Sequence, residues 1–265
     1  MSERLLVAVR GGGDLGTGVA LRLQRAHFRV VVLEAPQPTV IRRAVAFAAA
    51  VYDGSVAVED TTARLARFDD DLASIGARGE VPVLVDPQAA SLSRLRPAAL
   101  VDAIMAKRNT GTRIDAAPIV VALGPGFVAG GDCHAVVETN RGHSLGRVYY
   151  SGSAQADTGT PGTLGSEDAK RALRAPGGGE FRALKKIGER VTKGEVVGRV
   201  GELPIAAQIA GVLRGVLHDG LTVSAGMKVA DVDPRGMAEH CFTVSDKSWA
   251  VGGGVLEAVL HLRRI

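Results

Sequence analysis

Along the first third of the chain, apolar runs alternate with apolar residues at helical spacing. Leu5 to Val9 are five successive apolar residues, the length and composition of a strand buried on both faces. Leu15, Val19 and Leu23 then recur at i, i+4 and i+8, one face of a helix. A second apolar run, Val30 to Leu33, ends on Glu34. Pro38-Thr39 opens a helix expected to reach about Ala50, with Arg42 and Arg43 on its outer side. A short strand is expected at Ser55 to Glu59 and a helix at Thr61 to Ile75, its run of aspartates at 69–71 forming a solvated face. Val81 to Val85, closed by Asp86-Pro87, and Leu100 to Met105 read as further strands. Strands alternating with helices predict an α/β domain with a doubly wound parallel sheet.

From Pro118 the periodicity changes. Ile119 to Leu123, Ala135 to Glu138 and Gly146 to Tyr150 are strand-like runs without long helical patterns between them. Further on, Gly179 to Val200 aligns without a gap on Gly211 to Val232, 32 positions away. Gly188 matches Gly220, Val191 matches Val223, Gly194 matches Gly226 and Val197 matches Val229. Two copies of one small β unit predict an all-β module with pseudo-twofold symmetry. Its expected shape is the barrel-sandwich hybrid of biotinyl and lipoyl domains. The expected organisation is therefore a nucleotide-binding domain over 1–117, a β-rich segment over 118–170 and a barrel-sandwich-like module over 171–265. The hairpin expected between the copies, Gly201 to Ala210, contains no lysine, and Lys228 lies inside the second copy. No covalent biotin or lipoate is expected, and a packing or docking role for the module is favoured.

The composition narrows the functional classes. With 265 residues the chain has room for one large or two modest domains, and 46% apolar with 23% charged residues is globular. Aromatic residues are only 4%, so the cores must be built from Ala, Val, Leu and Ile. The net charge of +4 comes from basic residues scattered among acids, without the aromatic interleaving of a nucleic-acid surface. No apolar run approaches the ~18 residues of a membrane span, and the N-terminal run is too short for a signal peptide. Two cysteines make no disulfide framework. The expectation is a cytoplasmic protein with neither nucleic acid nor membrane as partner.

The first element carries the clearest chemistry. Gly11, Gly13 and Gly16 follow the first strand in G-x-G-x-x-G spacing, and Glu34 lies 23 residues after Gly11. Strand, glycine turn, helix, strand and acid form the Rossmann-like dinucleotide fingerprint. The first glycine allows the tight turn, the second admits a pyrophosphate, and the third seats the helix on the sheet. Phosphates would sit at the helix N-terminus, on Gly11 to Thr17 and Asp14, with Glu34 on a ribose. The glycines could instead serve packing alone. Lys107, in the turn with Asn109, could contact phosphate or cap the turn. In the central loops Arg141 and His143 are suited to bind an anion and to lower the pKa of Cys133, while Asp157 could act as a base. Cys133, His143 and Asp157 are thus the candidate catalytic residues. Two pairs, Cys133-His134 and His240-Cys241, have spacings unlike a zinc site, and no metal is expected. No nucleophile elbow, zincin motif or P-loop occurs.

Several stretches together resemble a known family. They include GGGDLGTGVALRL, DAIMAKRNTGT, LGPGFVAGGDCHAVVETNRGHSLGRVYYSG, APGGGEF, DVDPRG and SDKSWAVGGGVLEAVL. Their order and type resemble the selenium-dependent molybdenum hydroxylase accessory family, also called YqeB-like, whose Rossmann part is similar to that of xanthine dehydrogenase accessory proteins. The resemblance implies maturation of a molybdenum hydroxylase. The implied ligand is the molybdenum cofactor or a dinucleotide, the implied partner a hydroxylase apoenzyme. Alternatives are an NAD(P)-dependent oxidoreductase, with NAD or NADP as cofactor, and a non-catalytic scaffold docking the hydroxylase. A homo-oligomer stays open.

Overall fold

The computed structural model describes residues 4–67, 70–156 and 168–263. The chain divides into two compact units: Met1–Pro38 with Phe47–Gly159 and Val244–Ile265, and Thr39–Ala46 with Thr160–Thr243.

In chain order the first unit contains β1 (Leu6–Arg10), α1 (Asp14–Arg25), β2 (Arg29–Glu34), α2 (Ala50–Asp53), β3 (Ser55–Val58) and β4 (Thr61–Leu65). It continues with α3 (Asp70–Ala77), β5 (Val81–Val85), α4 (Leu92–Leu95), β6 (Ala99–Asp102), β7 (Ile119–Leu123), β8 (Ala135–Val137) and β9 (Val148–Tyr149). These strands form one nine-stranded sheet in the order β3-β4-β5-β2-β1-β6-β7-β8-β9. Neighbours from β4 to β8 are parallel, with Val7 paired to Val30 on one side and Ala99 on the other. The edge strands β3 and β9 are antiparallel to their neighbours. On one face Leu72, Leu92 and Leu95 pack against a core that includes Ala8, Leu33, Leu100, Val120 and Val136.

The second unit contains α5 (Asp168–Arg171), β10 (Ala172–Arg174), β11 (Gly179–Ala183), β12 (Arg190–Val191), β13 (Val196–Val200), β14 (Leu203–Ala206), β15 (Gly211–Val216), β16 (Thr222–Val223) and β17 (Lys228–Asp233). Two four-stranded antiparallel sheets result, β10-β17-β15-β12 and β14-β13-β11-β16. The sequence repeat lays β11 on β15, β12 on β16 and β13 on β17. The copies exchange strands: β12 of the first pairs with β15 of the second, and β16 of the second pairs with β11 of the first. The chain then returns to the first unit as α6 (Asp246–Leu262).

This architecture corrects the expected fold class. A Rossmann-like doubly wound sheet followed by a β-rich segment and a barrel-sandwich hybrid is replaced by one large mixed sheet and two antiparallel sheets. The helical crossovers stop at β6, because β7 and β8 are reached through loops holding only one 3-10 turn, Ile114–Ala116. Glycine and proline at Gly111, Pro118, Gly124-Pro125-Gly126 and Gly130-Gly131 keep helices out of those connections. The runs expected as a separate central segment, β7 to β9, extend the first sheet.

Two expected helices also fail for identifiable reasons. Between Thr39 and Ala50 the backbone finds tertiary partners instead of i−4 carbonyls: the Ile41 carbonyl accepts from Val216 N at 2.9 Å, and Ala48 N donates to the Gly12 carbonyl at 2.9 Å. Thr61 to Leu65 is strand β4, its Thr61 and Ala63 buried in alternation, hairpinned to β3 through Glu59 at φ 53°. Among the described residues no helix is long and apolar enough to cross a membrane.

Candidate functional site

Strand order reverses between β1 and β6: from β1 the chain steps to β2 on one side, and after β5 it returns to β6 on the other. Such a reversal opens a crevice at the carboxyl ends of parallel strands, where ligands of open α/β sheets bind. The glycine turn lies there. Gly11 has φ +98°, and a Cβ on it would come within 2.9 Å of the Ala103 carbonyl beyond β6. A Cβ on Gly16 would lie 2.0 Å from the Gly11 carbonyl oxygen, so the helix sits on the turn as the third-glycine role requires.

Glu34, at the end of β2, reaches across to the same turn. Its Oε2 accepts from Gly12 N at 2.7 Å and its Oε1 from Ala35 N at 2.7 Å. Burial pushes its carboxyl above the ordinary value, against the pull of the Ala35 and Gly12 amides. Each carboxylate oxygen keeps a second lone pair for a hydroxyl. Helix α1 begins after Gly13, a cap residue with no side chain to bond the first amides. Asp14 stands half-buried in the first turn.

Gly11, Gly12 and Gly16 of this turn are buried, and one expectation about it is corrected. Thr17 is fully buried, its Oγ1 donating to the Gly12 carbonyl at 3.1 Å and accepting from Phe47 N at 2.8 Å. It is a strut holding the Phe47–Ala49 segment over the turn, not a phosphate ligand.

Lys107 is exposed at φ 60°, on a loop whose backbone approaches Gly126. Asn109 builds that loop, its Oδ1 accepting from Gly111 N and Thr112 N at 2.9 and 2.8 Å. Beneath it Arg10 donates to Thr112 Oγ1 at 3.0 Å and to the Pro87 carbonyl at 3.0 Å, while Thr112 Oγ1 donates to Asp102 Oδ2 at 2.5 Å. Arg10, Thr112 and Gln88 line a cleft of about 300 Å³ beside the turn. A roomier, more apolar cleft of about 410 Å³ lies among Leu6, Phe28, Val81 and Leu95. It opens at the amino ends of β1 and β5, away from the glycine turn.

The expected catalytic group does not assemble. Cys133 is fully buried in the sheet core with Ala8, Val120 and Val136. Burial, then the charge of Asp132, pushes its thiol up to about 12. It is an inert core residue, not a thiolate held by Arg141 and His143. His143 is exposed on the turn before β9. Arg141 forms a bidentate pair with Asp246, at 2.7 and 3.0 Å. Asp157 lies outside the described residues. His240-Cys241 belongs to the second unit, and among the described residues no group of three or more His, Cys, Asp or Glu is arranged to hold a metal ion.

Residues near the turn that the sequence reading missed come from late in the chain. Glu138, fully buried at the end of β8, accepts from Asn140 N at 2.7 Å and Gln155 N at 2.8 Å. Lys247 stands half-buried in the first turn of α6, with Asp14, Arg141, Glu138 and Asp246 as its charged neighbours. Burial holds its pKa below the ordinary value. One signal for it was available: Ser245 and Ser248 mark a helix start, and a lysine in a first turn opposes the helix dipole.

Comparison with known proteins adds little chemistry. No protein-family model matches the chain. It is 52% identical over 261 residues to "Uncharacterized protein YqeB" of Escherichia coli (strain K12), covering 98% of this chain and 48% of that protein. The chain therefore spans about half the length of this relative. Solved structures with some likeness include the product-bound ectoine utilization protein EutE (DoeB) of Ruegeria pomeroyi, at 15% identity and TM-score 0.26, covering 80% of this chain and 61% of that one. A succinylglutamate desuccinylase/aspartoacylase of Rhodobacter sphaeroides matches at 16% identity and TM-score 0.25, over 78% and 58% of the two chains. An aspartoacylase family protein of Mesorhizobium loti matches at 13% identity and TM-score 0.26, over 87% and 85%.

These findings correct the expected family and role. The sequence relative is uncharacterized, and the structures are desuccinylase, aspartoacylase and ectoine-utilization proteins; neither speaks for molybdenum hydroxylase maturation. With that role go its alternatives, the NAD(P)-dependent oxidoreductase and the hydroxylase-docking scaffold. At such TM-scores the structural likenesses assign no chemistry of their own to this chain.

Proposed function

We propose that the first unit binds a nucleotide through its phosphates, at the crevice where strand order reverses. The observation that carries this reading is Glu34. Its carboxylate is fastened to the amide of Gly12, beside an α1 N-terminus with no side-chain cap. A carboxylate fixed beside a helix start suits a ligand with hydroxyls on one side and phosphates on the other. The ligand class is a dinucleotide such as NAD or NADP, with the molybdenum cofactor as the other candidate to be titrated. The two unpaired, buried thiols suit a reducing compartment, and the reading places the protein in the cytoplasm.

Titration calorimetry with NAD, NADP, ADP and molybdenum cofactor tests the reading. Gly13 has φ −63°, which any residue adopts, so Gly13→Val is expected to fold and to lose the phosphate-bearing ligand. Glu34→Gln is expected to weaken a ribose-bearing ligand by about 1–3 kcal/mol, since the amide cannot accept from both backbone N–H groups and a hydroxyl. Unchanged affinity in Gly13→Val would remove the turn as the phosphate site.

A further inference from the structure

On β1, Arg10 stands two residues after Ala8 and so projects from the same face of the sheet, the face that Leu92 and Leu95 cover. A cation thus occupies a core-facing position, its side chain only 7% exposed. Nη1 donates to Thr112 Oγ1 and Nη2 to the Pro87 carbonyl, each at 3.0 Å. Nε is buried and has no acceptor among the described residues. Asp102, at the end of the neighbouring strand β6, lies 3.7 Å from Nη1, and its own oxygens accept from Thr112 Oγ1 and Ile104 N. The acid balances the charge of Arg10 without accepting a hydrogen bond from it. A guanidinium carries more N–H donors than the two contacts of Arg10 use.

Arg10 lines the cleft of about 300 Å³ beside the glycine turn. Leu92, Leu100 and Ala116 give this cleft apolar walls, and exposed Gln88 adds a free amide. Ala89, on the same wall, is held at φ 54°, a backbone conformation that costs a non-glycine residue and that recurs at ligand clamps. A second guanidinium in the lining, Arg113, is committed to Asp115 by two hydrogen bonds. Arg10 is therefore the cation here with donors to spare, and a buried donor without an acceptor is costly. A ligand oxygen in the cleft would supply acceptors.

The charges around the cleft decide the class of ligand. Arg10 and Arg113 are balanced by Asp102 and Asp115, so a dianion such as phosphate would meet as many carboxylates as guanidiniums. A monoanion with a planar two-oxygen head matches the guanidinium fork, and a short apolar tail matches the leucine and alanine walls. We propose that this cleft binds a small monocarboxylate, its oxygens on Arg10 and its tail against Leu92, Leu100 and Ala116. The site stands apart from the nucleotide reading, because such a ligand has neither phosphate nor ribose.

The test is titration of the full chain, its leucine methyls labelled with carbon-13, with butyrate, its uncharged isostere butyramide and inorganic phosphate. Wild type is expected to bind butyrate about tenfold or more tighter than butyramide, the worth of one charge-assisted hydrogen bond, with the Leu92 and Leu100 methyl signals moving as it binds. Arg10→Met should lose that preference. Ala116→Leu, which fills the cleft with an apolar group, should weaken butyrate and butyramide alike. Equal binding of butyrate and butyramide by wild type, or unmoved Leu92 and Leu100 methyls, overturns the proposal. Tighter binding of phosphate than of butyrate overturns the carboxylate assignment. An Arg10→Met protein that keeps the wild-type preference removes Arg10 as the anchor. Should Arg10→Met fail to fold, Ala116→Leu decides, and butyrate affinity equal to wild type overturns the site. Each of these failures leaves the nucleotide titrations unaffected.

Discussion

Replacing Gly18 by alanine probes how closely α6 is pressed against α1. In an open helix interior alanine would stabilise by about 1 kcal/mol over glycine. At Gly18 the new methyl would lie 2.7 Å from Ser248 Cβ and 2.8 Å from the Ser248 carbonyl oxygen. Carbon atoms pack best at about 3.5–4.0 Å, so the helices must part by roughly 1 Å, and overpacking of this kind costs about 1–3 kcal/mol. The net expectation is a loss of up to about 2 kcal/mol, the sign reversed from propensity alone. Gly253 supplies the control on α6 itself: a Cβ there meets nothing within 4 Å, so Gly253→Ala should gain about 0.5–1 kcal/mol. Urea unfolding can be followed at Trp249, the chain's one tryptophan, which lies on α6 with Arg22 and Arg25 each 4.8 Å from its ring. Separation of the helices should shift its native emission in Gly18→Ala and leave it unchanged in Gly253→Ala. Equal stabilisation by both substitutions, with unaltered Trp249 emission, would refute the close crossing.

Two further outcomes concern buried groups. Burial raises the Asp233 carboxyl, but hydrogen bonds from Arg235 at 2.9 and 2.6 Å outweigh it and hold the group at about 2, below its ordinary 3.8. A depressed carboxyl contributes stability above its unfolded value and loses it as pH falls through the folded one, here between about pH 4 and pH 2. Asp233→Asn should flatten that acid limb in urea midpoints. At neutral pH it should cost about 3–5 kcal/mol, because buried Arg214, 3.3 Å from Asp233 Oδ2, loses its partner. The thiols give the second outcome. Cys133, pushed up to about 12, and Cys241, also raised by burial, should both resist an aromatic disulfide at pH 8 and both react in denaturant; a fast native reaction would place Cys133 outside the core.

What was legible followed from local periodicity. Leu5 to Val9, Val30 to Leu33, Val81 to Val85 and Ile119 to Leu123 are strands within a residue of where the apolar runs predict them, because runs of this composition fit a sheet buried on both faces. The 32-residue repeat also maps strand on strand. Distant partners made the rest illegible. Ile41 looks like part of a helix until Val216 takes its carbonyl, and Cys133 looks like a loop thiol until the isolated bridge from Ala129 and the core around it are formed. The α1–α6 crossing joins Gly18 to Ser248, 230 positions apart, and no local pattern carries that.

The glycine turn shows why spacing alone does not identify a phosphate site. Gly11 is required by its φ of +98° and by Ala103, Gly12 by the Ala48 backbone 2.9 Å from its would-be Cβ, and Gly16 by the Gly11 carbonyl. Each of these glycines has a packing reason sufficient without any ligand. Packing does not explain the carboxylate of Glu34 held against the turn. It is a partly buried charge, and desolvating it has a cost that a neutral side chain would avoid. A hydroxyl of a bound nucleotide would add a donor to it. That charge, not the three glycines, therefore distinguishes a binding crevice from a well-packed turn.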